Sequence, residues 1–257
     1  MPIIRPNRNF CFKTLFSAGC CYIICFMKKK QRVAVFDIDG TMFRSSLLRE
    51  LLEALIVFGI FPYKAQAYYE HAYVKWLDRK ALYEVYQQSV LNTYQHHVKG
   101  INRNIVLDTS NHIMNFHRYR VYHYTKKMVQ DLKKKGFYMI AISGSPQDIV
   151  TPFAKNLGFD KVYGRVFEVD DKNQFTGKIS NEKEIERKDK TLKNILTSDK
   201  SLTLKGSIGV GDTHLDIPFL KLVEHPIAFN PDKKLYLHAK KNKWEIIIER
   251  KDMIFHE

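Results

Sequence analysis

Short apolar runs alternate with amphipathic stretches along most of this chain. Val33 to Phe36, Tyr138 to Ile142 and Ser207 to Gly211 are runs apolar on nearly every position, each closed by a polar residue or glycine. Such runs read as strands covered on both faces. Between the first two, Leu47, Leu48, Leu51, Leu52, Leu55 and Ile56 recur at the three-and-four spacing of one helical face, with Ser45 or Ser46 as caps. Phe61-Pro62 ends that helix. Further helices are expected over about 64–77, 79–98 and 103–117, with Lys99-Gly100 opening a loop between the last two. Tyr119 to Lys135 reads as a helix closed by Gly136 in the left-handed position. Downstream we expect a helix over 146–157, a short strand at 161–163 and a hairpin over 166–179 turning at Asp171-Lys-Asn. A helix begins near Arg187. The tail reads as helix 216–223, strand 226–229, helix 231–241 and a last edge strand at 244–248. Alternation of this kind implies an α/β fold, a parallel sheet with helices on both faces.

The strand ends carry the candidate chemistry. Val33-Ala-Val-Phe-Asp37-Ile-Asp39-Gly40-Thr41 places two carboxylates two residues apart, on the same side of an extended chain. Carboxylates that close repel unless a cation or a shared proton relieves them. Ligands of open parallel sheets bind beyond the carboxyl ends of the strands. The run ending in Ser143-Gly144 offers a hydroxyl and a free backbone N–H, and Gly211-Asp212-Thr-His-Leu-Asp216 adds two further acids. Between them, Arg187-Lys188-Asp-Lys190 opens a basic helix that continues through Leu192, Ile195 and Leu196. The local reading is a divalent-metal site with one carboxylate left free for chemistry.

Strand-Asp-x-Asp-Gly-Thr, strand-Ser, helix-Lys and strand-Gly-Asp-x-x-x-Asp, in that order, resemble the haloacid dehalogenase-like (HAD) superfamily, over roughly residues 31 to 247. Within it the chain looks most like the phosphoserine-phosphatase-like branch. The resemblance implies a Rossmann-like three-layer sandwich with a central parallel sheet and an inserted helical cap. The core would be 31–43 and 119–257, the cap 44–118, and residues 1–30 an extension. It further implies a Mg²⁺-dependent phosphomonoester hydrolase acting on a small phosphorylated metabolite. Asp37 would be the nucleophile that forms an aspartyl-phosphate, and Asp39 the acid and then the base. Ser143, Gly144 and Lys188 would hold phosphate, and Asp37, Asp39 (through its carbonyl), Asp212 and Asp216 the metal. Other readings stay open at single positions. Asp39 could be a further metal ligand or a turn former, Ser143 a plain helix cap, and Lys190 rivals Lys188. His214 reads as solvent-facing. The position nine residues after Asp37, usually a glutamate in phosphoserine phosphatases, is Ser46 here, which disfavours phosphoserine. A phosphotransferase to an acceptor other than water, and a non-catalytic binding protein using its basic surface, are the alternatives.

Composition narrows partners only in part. The net charge of +15 favours anionic partners. Six of those charges sit in residues 1–30, which hold no acid. We expect no nucleic-acid groove. All four cysteines fall between Cys11 and Cys25, against a disulfide-stapled secreted fold and without the spacing of a zinc site. The apolar stretch Phe10 to Phe26 is somewhat short for a spanning helix and lacks a signal-cleavage pattern. Residues 1–26 thus read as an upstream extension before Met27 or as an anchor, which leaves membrane association through residues 10–30 open. The expected location is the cytoplasm.

Overall fold

A central sheet organises the molecule, and its middle strand shows how. The computed structural model describes residues 10–17, 20–27 and 30–257, the first two stretches as backbone alone. Strands β1 (Phe10–Ser17) and β2 (Cys20–Met27) pair antiparallel, Phe10 opposite Met27. The stretch read as a candidate anchor therefore forms two paired strands where it is described, while residues 1–9, 18–19 and 28–29 lie outside the described residues. Among the described residues no helix is long and apolar enough to cross a membrane.

The chain continues with β3 (Gln31–Phe36), then four helices, α1 (Leu47–Val57), α2 (Ala65–Leu77), α3 (Tyr83–Val98) and α4 (Arg103–His117), and α5 (His123–Lys134). There follow β4 (Tyr138–Pro146), α6 (Gln147–Asn156), β5 (Lys161–Arg165) and the antiparallel pair β6 (Phe167–Val169) and β7 (Phe175–Ile179). Next come α7 (Glu182–Glu186), α8 (Lys188–Ser198), β8 (Leu202–Gly211), α9 (Ile217–Leu220), β9 (His225–Phe229), α10 (Lys233–Asn242), β10 (Glu245–Arg250) and β11 (Met253–His256). The main sheet has the order β11-β10-β9-β8-β3-β4-β5 and is parallel except for the β10–β11 pair. The strand expected at the edge is thus next to last, because Met253–His256 folds back on it.

Period-two alternation builds the two faces. On β3, Ala34 and Phe36 join one buried cluster with Met139, Ala141, Val150 and Phe153, which runs on without a break into α1, α3 and α4. Val33 and Val35 join the other, with Ile140, Ile142, Leu192, Phe219 and Leu235. The result is three layers with β3 at the centre.

Two boundaries depart from the sequence reading for identifiable reasons. The helix expected from Tyr119 starts at His123, because residues 120–122 are drawn out beside the outgoing chain. Arg44 N–H donates to Arg120 O (3.1 Å), Tyr122 N–H to Met42 O (3.0 Å), and Phe43 bridges Val121. The insertion therefore leaves and returns at one place. Glu249 accepts the N–H groups of His123 and Tyr124 and so caps the shortened helix. The third helix starts at Tyr83 rather than 79, since Arg79 turns through φ +62°. The hairpin turn falls where expected, with Asp170 accepting from the N–H groups of Lys172 and Gln174.

Candidate active site

Strand register sets the floor of the site. Phe36 pairs with both Ala141 and Val210, so the residues that follow, Asp37, Ser143 and Asp212, emerge from three adjacent strands at one edge. Asp37 N–H donates to Val210 O (2.9 Å), which extends the ladder by one residue and fixes the start of the loop. Gly40 then turns through φ +80°, and a Cβ there would stand 2.1 Å from Asp212 Oδ2. Only glycine meets both conditions. Thr41 Oγ1 donates to Asp212 Oδ1 (3.1 Å), and Thr125 Oγ1 donates to the Thr41 carbonyl (2.9 Å).

Lys188 is the centre of the charge arrangement. It opens α8 and is buried, with Nζ 2.5 Å from Asp37 Oδ1 and 2.6 Å from Asp216 Oδ1. Lys190 is exposed and lies outside this cluster. Burial opposes the charge on Lys188, but the carboxylates of Asp216 and Asp37 outweigh it and hold its pKa above the usual lysine value. Asp216 is fixed from behind as well, since its Oδ2 accepts the N–H groups of Asp212 (3.1 Å) and Thr213 (3.0 Å). For Asp37, burial together with Asp216 and Asp39 outweighs Lys188 and pushes its pKa up to about 7. Asp212 is also raised, by burial and then by the charge of Asp37. Asp37, Asp212 and Asp216 offer carboxylate oxygens within 4.8 Å of one another. Crowded hard oxygens of this kind are the donor set a small divalent cation takes, and a cation there would favour the ionised forms that burial and the neighbouring carboxylates disfavour.

Asp39 has a different setting. Its Oδ1 accepts from Leu47 N–H (2.6 Å) at the start of α1, and its Oδ2 accepts from the hydroxyls of Ser143 (2.7 Å) and Ser145 (2.8 Å). The register of β4 against β5 slips between Ile142 and Pro146, and this bulge turns both serines toward Asp39. Burial raises the Asp39 pKa against these hydrogen bonds. Ser143, expected to face a phosphate oxygen, is thus engaged with Asp39, and it also accepts Ser145 N–H (3.0 Å). Ser145 was not anticipated, although the Ser-Gly-Ser spacing was a signal for it. Gly144 lines the cavity beside them.

The cavity beyond this floor has a volume of about 580 Å³ and is bordered by α1, α3, α7 and the loop after β8. His214 is not solvent-facing as expected. Its ring lies between Asp232 Oδ2 (Nδ1, 2.6 Å) and Glu84 Oε1 (Nε2, 2.5 Å), and Lys234 Nζ joins Glu84 at 3.1 Å. Glu84 belongs to the first turn of α3, so this cluster ties the insertion to the loop that carries Asp212. Asp232 N–H donates to Asp212 O (2.8 Å), which completes the connection. Arg44 and Glu50 play no part here. Arg44 lies over the Tyr122 ring, and Glu50 pairs with His117 and Arg120.

Known proteins resemble this chain in sequence over about half its length and in fold over most of it. A histidinol-phosphatase of Neisseria meningitidis serogroup C (strain 8013) is 26% identical over 125 residues, 48% of this chain and 56% of that protein. The chain spans about half the length of the curated relatives it matches. A protein of unknown function from Bordetella pertussis Tohama I superposes with a TM-score of 0.67 at 19% identity, over 86% of this chain and 99% of that one. A substrate-bound phosphoserine phosphatase superposes with a TM-score of 0.61 at 22% identity, over 87% and 95%. These superpositions establish the common α/β fold. Residues 34–221, from within β3 past the last acid of the site, match the family description as well, and the chain belongs to the haloacid dehalogenase-like hydrolases.

Proposed function

We propose that the chain is a Mg²⁺-dependent phosphomonoester hydrolase that works through an aspartyl-phosphate on Asp37. The observation that carries this reading is the buried Lys188 bridge between Asp37 and Asp216, set beside an Asp39 that donors hold on both oxygens. One carboxylate is aimed by an ammonium, and the other is held apart by donors on both oxygens, with burial raising its pKa against them. Those are the needs of a nucleophile and of a general acid.

In the first half-reaction Asp37 attacks phosphorus, the bond to the leaving oxygen breaks, and Asp39 gives that oxygen its proton. In the second, Asp39 takes a proton from water as the water oxygen attacks the phosphoryl group, which releases inorganic phosphate and regenerates Asp37. Lys188 and the N–H groups at Ser143-Gly144 would stabilise the equatorial oxygens. Magnesium would be held by Asp37 and Asp212, with Asp216 and the Asp39 carbonyl adjoining, and supplies positive charge against the repulsion between carboxylate and phosphoryl oxygens. Residues 44–118 act as the cap, and a cavity of about 580 Å³ suits a small organic phosphate. The names of the relatives, histidinol-phosphatase and phosphoserine phosphatase, support the reaction class.

The test is release of 4-nitrophenol from 4-nitrophenyl phosphate with Mg²⁺ and with EDTA, for the wild-type chain and Asp37→Asn. Metal-dependent turnover that vanishes in the variant, with acid-stable label on the wild-type protein after quenching, is the expected result. Turnover retained in Asp37→Asn would remove it from the nucleophile role.

A further inference from the structure

The cavity is bordered by three arginines, and they are not equivalent. Arg49 is committed to Glu53, Nε to Oε1 at 2.7 Å. Arg187 is committed to Asp189 through Nε and Nη2, at 3.1 and 3.2 Å. Lys188, as described, is shared between two aspartates. Arg165 differs. Its side chain is only 12% exposed, yet its nearest carboxylate, Glu182, stands at 3.8 Å from Nη1, beyond hydrogen-bond reach, and is itself 51% exposed. Nη1 is shut off from solvent with no partner among the described residues. Only Nε is used, donating to the Gly144 carbonyl at 2.9 Å.

That bond locates the residue. Arg165 ends β5 directly opposite Pro146, abreast of the β4 bulge that presents Ser143 and Ser145 to Asp39. Its guanidinium therefore sits beside the phosphate end of the cavity. Burial lowers the Arg165 pKa, more than Glu182 and Glu186 restore it. A buried guanidinium with a nitrogen left unpaired is costly, and its planar fork is suited to paired anionic oxygens.

We propose that Arg165 is a specificity-determining residue that binds a second anionic group of the substrate, so that preferred substrates are small phosphomonoesters with a carboxylate close to the ester. This rests on the hydrolase reading of the same site and adds the substrate class.

The test compares esters that differ by a carboxylate in place of a terminal methyl: phosphoglycolate against ethyl phosphate, and 3-phosphooxypropanoate against propyl phosphate. We expect kcat/KM to favour the carboxylate of at least one pair by about tenfold or more, the effect of one charge-assisted contact. Arg165→Gln should erase the preference, mainly through KM, and Arg165→Lys should keep part of it. An enzyme indifferent to the carboxylate, or a preference that survives in Arg165→Gln, overturns the proposal. So does an equal loss on both members of a pair, which would mean that Arg165 only supports the Gly144 loop. Should the glutamine variant fail to fold, Arg165→Lys gives the same comparison. If no ester turns over at all, the hydrolase reading fails, and calorimetric binding of phosphoglycolate against ethyl phosphate to wild type and variant still decides the role of Arg165.

Discussion

Two charge clusters border the same cavity and follow opposite rules. On the floor, Lys188 and Asp216 are buried and each contact is anchored by a second one. At the edge, Glu84 and Lys234 are 40% and 57% exposed, and they meet His214 across the seam between α3 and the sheet. Breaking a buried pair by removing one partner costs about 3–5 kcal/mol. An exposed pair is worth about 0–1 kcal/mol. By these figures the floor pair is costly to break and the ion pairs of the seam are cheap to break. α3 is held more firmly at its other end, where Tyr94 is fully buried against Phe167 and Gln95 donates to Gly177 O (2.9 Å).

The contrast can be broken from the floor upward. Asp37→Asn should give the largest effect, a loss of phosphomonoester hydrolysis of about 10⁴-fold or more with the circular dichroism spectrum preserved. Lys188→Ala should follow, with activity down about 10²- to 10³-fold and stability down by about 3–5 kcal/mol in urea unfolding. Lys190→Ala should leave both nearly unchanged, and the reverse ranking would move the phosphate-binding role to Lys190.

Metal and pH act on the same floor more gently. The pKa of Asp37 is raised to about 7 in the folded chain, above its ordinary 3.8. The folded state therefore holds a proton that the unfolded state releases, and stability falls as pH rises from about 4 to about 7. Thermal melts in EDTA should show this decline, and Mg²⁺ should flatten it by favouring the ionised carboxylates. A metal-free protein equally stable across that range would contradict the placement. Among the variants that remove a described contact, Glu84→Gln should have the smallest effect, no more than about 1 kcal/mol in stability, with wild-type KM shifted toward the variant's as salt is raised. A loss as large as that of Lys188→Ala would show the seam to be as rigid as the floor.

Legibility followed the range of the interactions. Asp37, Asp39, Asp212 and Asp216 could be read because an apolar run ending in Gly and Asp announces both the strand and its tip. Lys188 was separable from Lys190 only by burial, which neighbouring lysines in one sequence do not reveal. Ser145 is signalled only by its Ser-Gly-Ser spacing from Ser143 at a bulge, whereas Glu84 and Arg165 depend on which distant segments meet, so their residue types carry no signal alone. His214 was misread for the same reason, since both of its partners come from other elements. The helix starting at His123 was misplaced because residues 120–122 have helical neighbours in sequence but an extended partner in space.

That extended partner has a structural consequence. The returning linker meets the outgoing one at Met42, the next residue after Thr41, and Thr41 itself is clasped by Thr125 on one side and reaches Asp212 on the other. The crossing thus lies one residue from the threonine that steadies the acid, so the stem of the helical insertion and the loop that carries the acids are one continuous piece of chain.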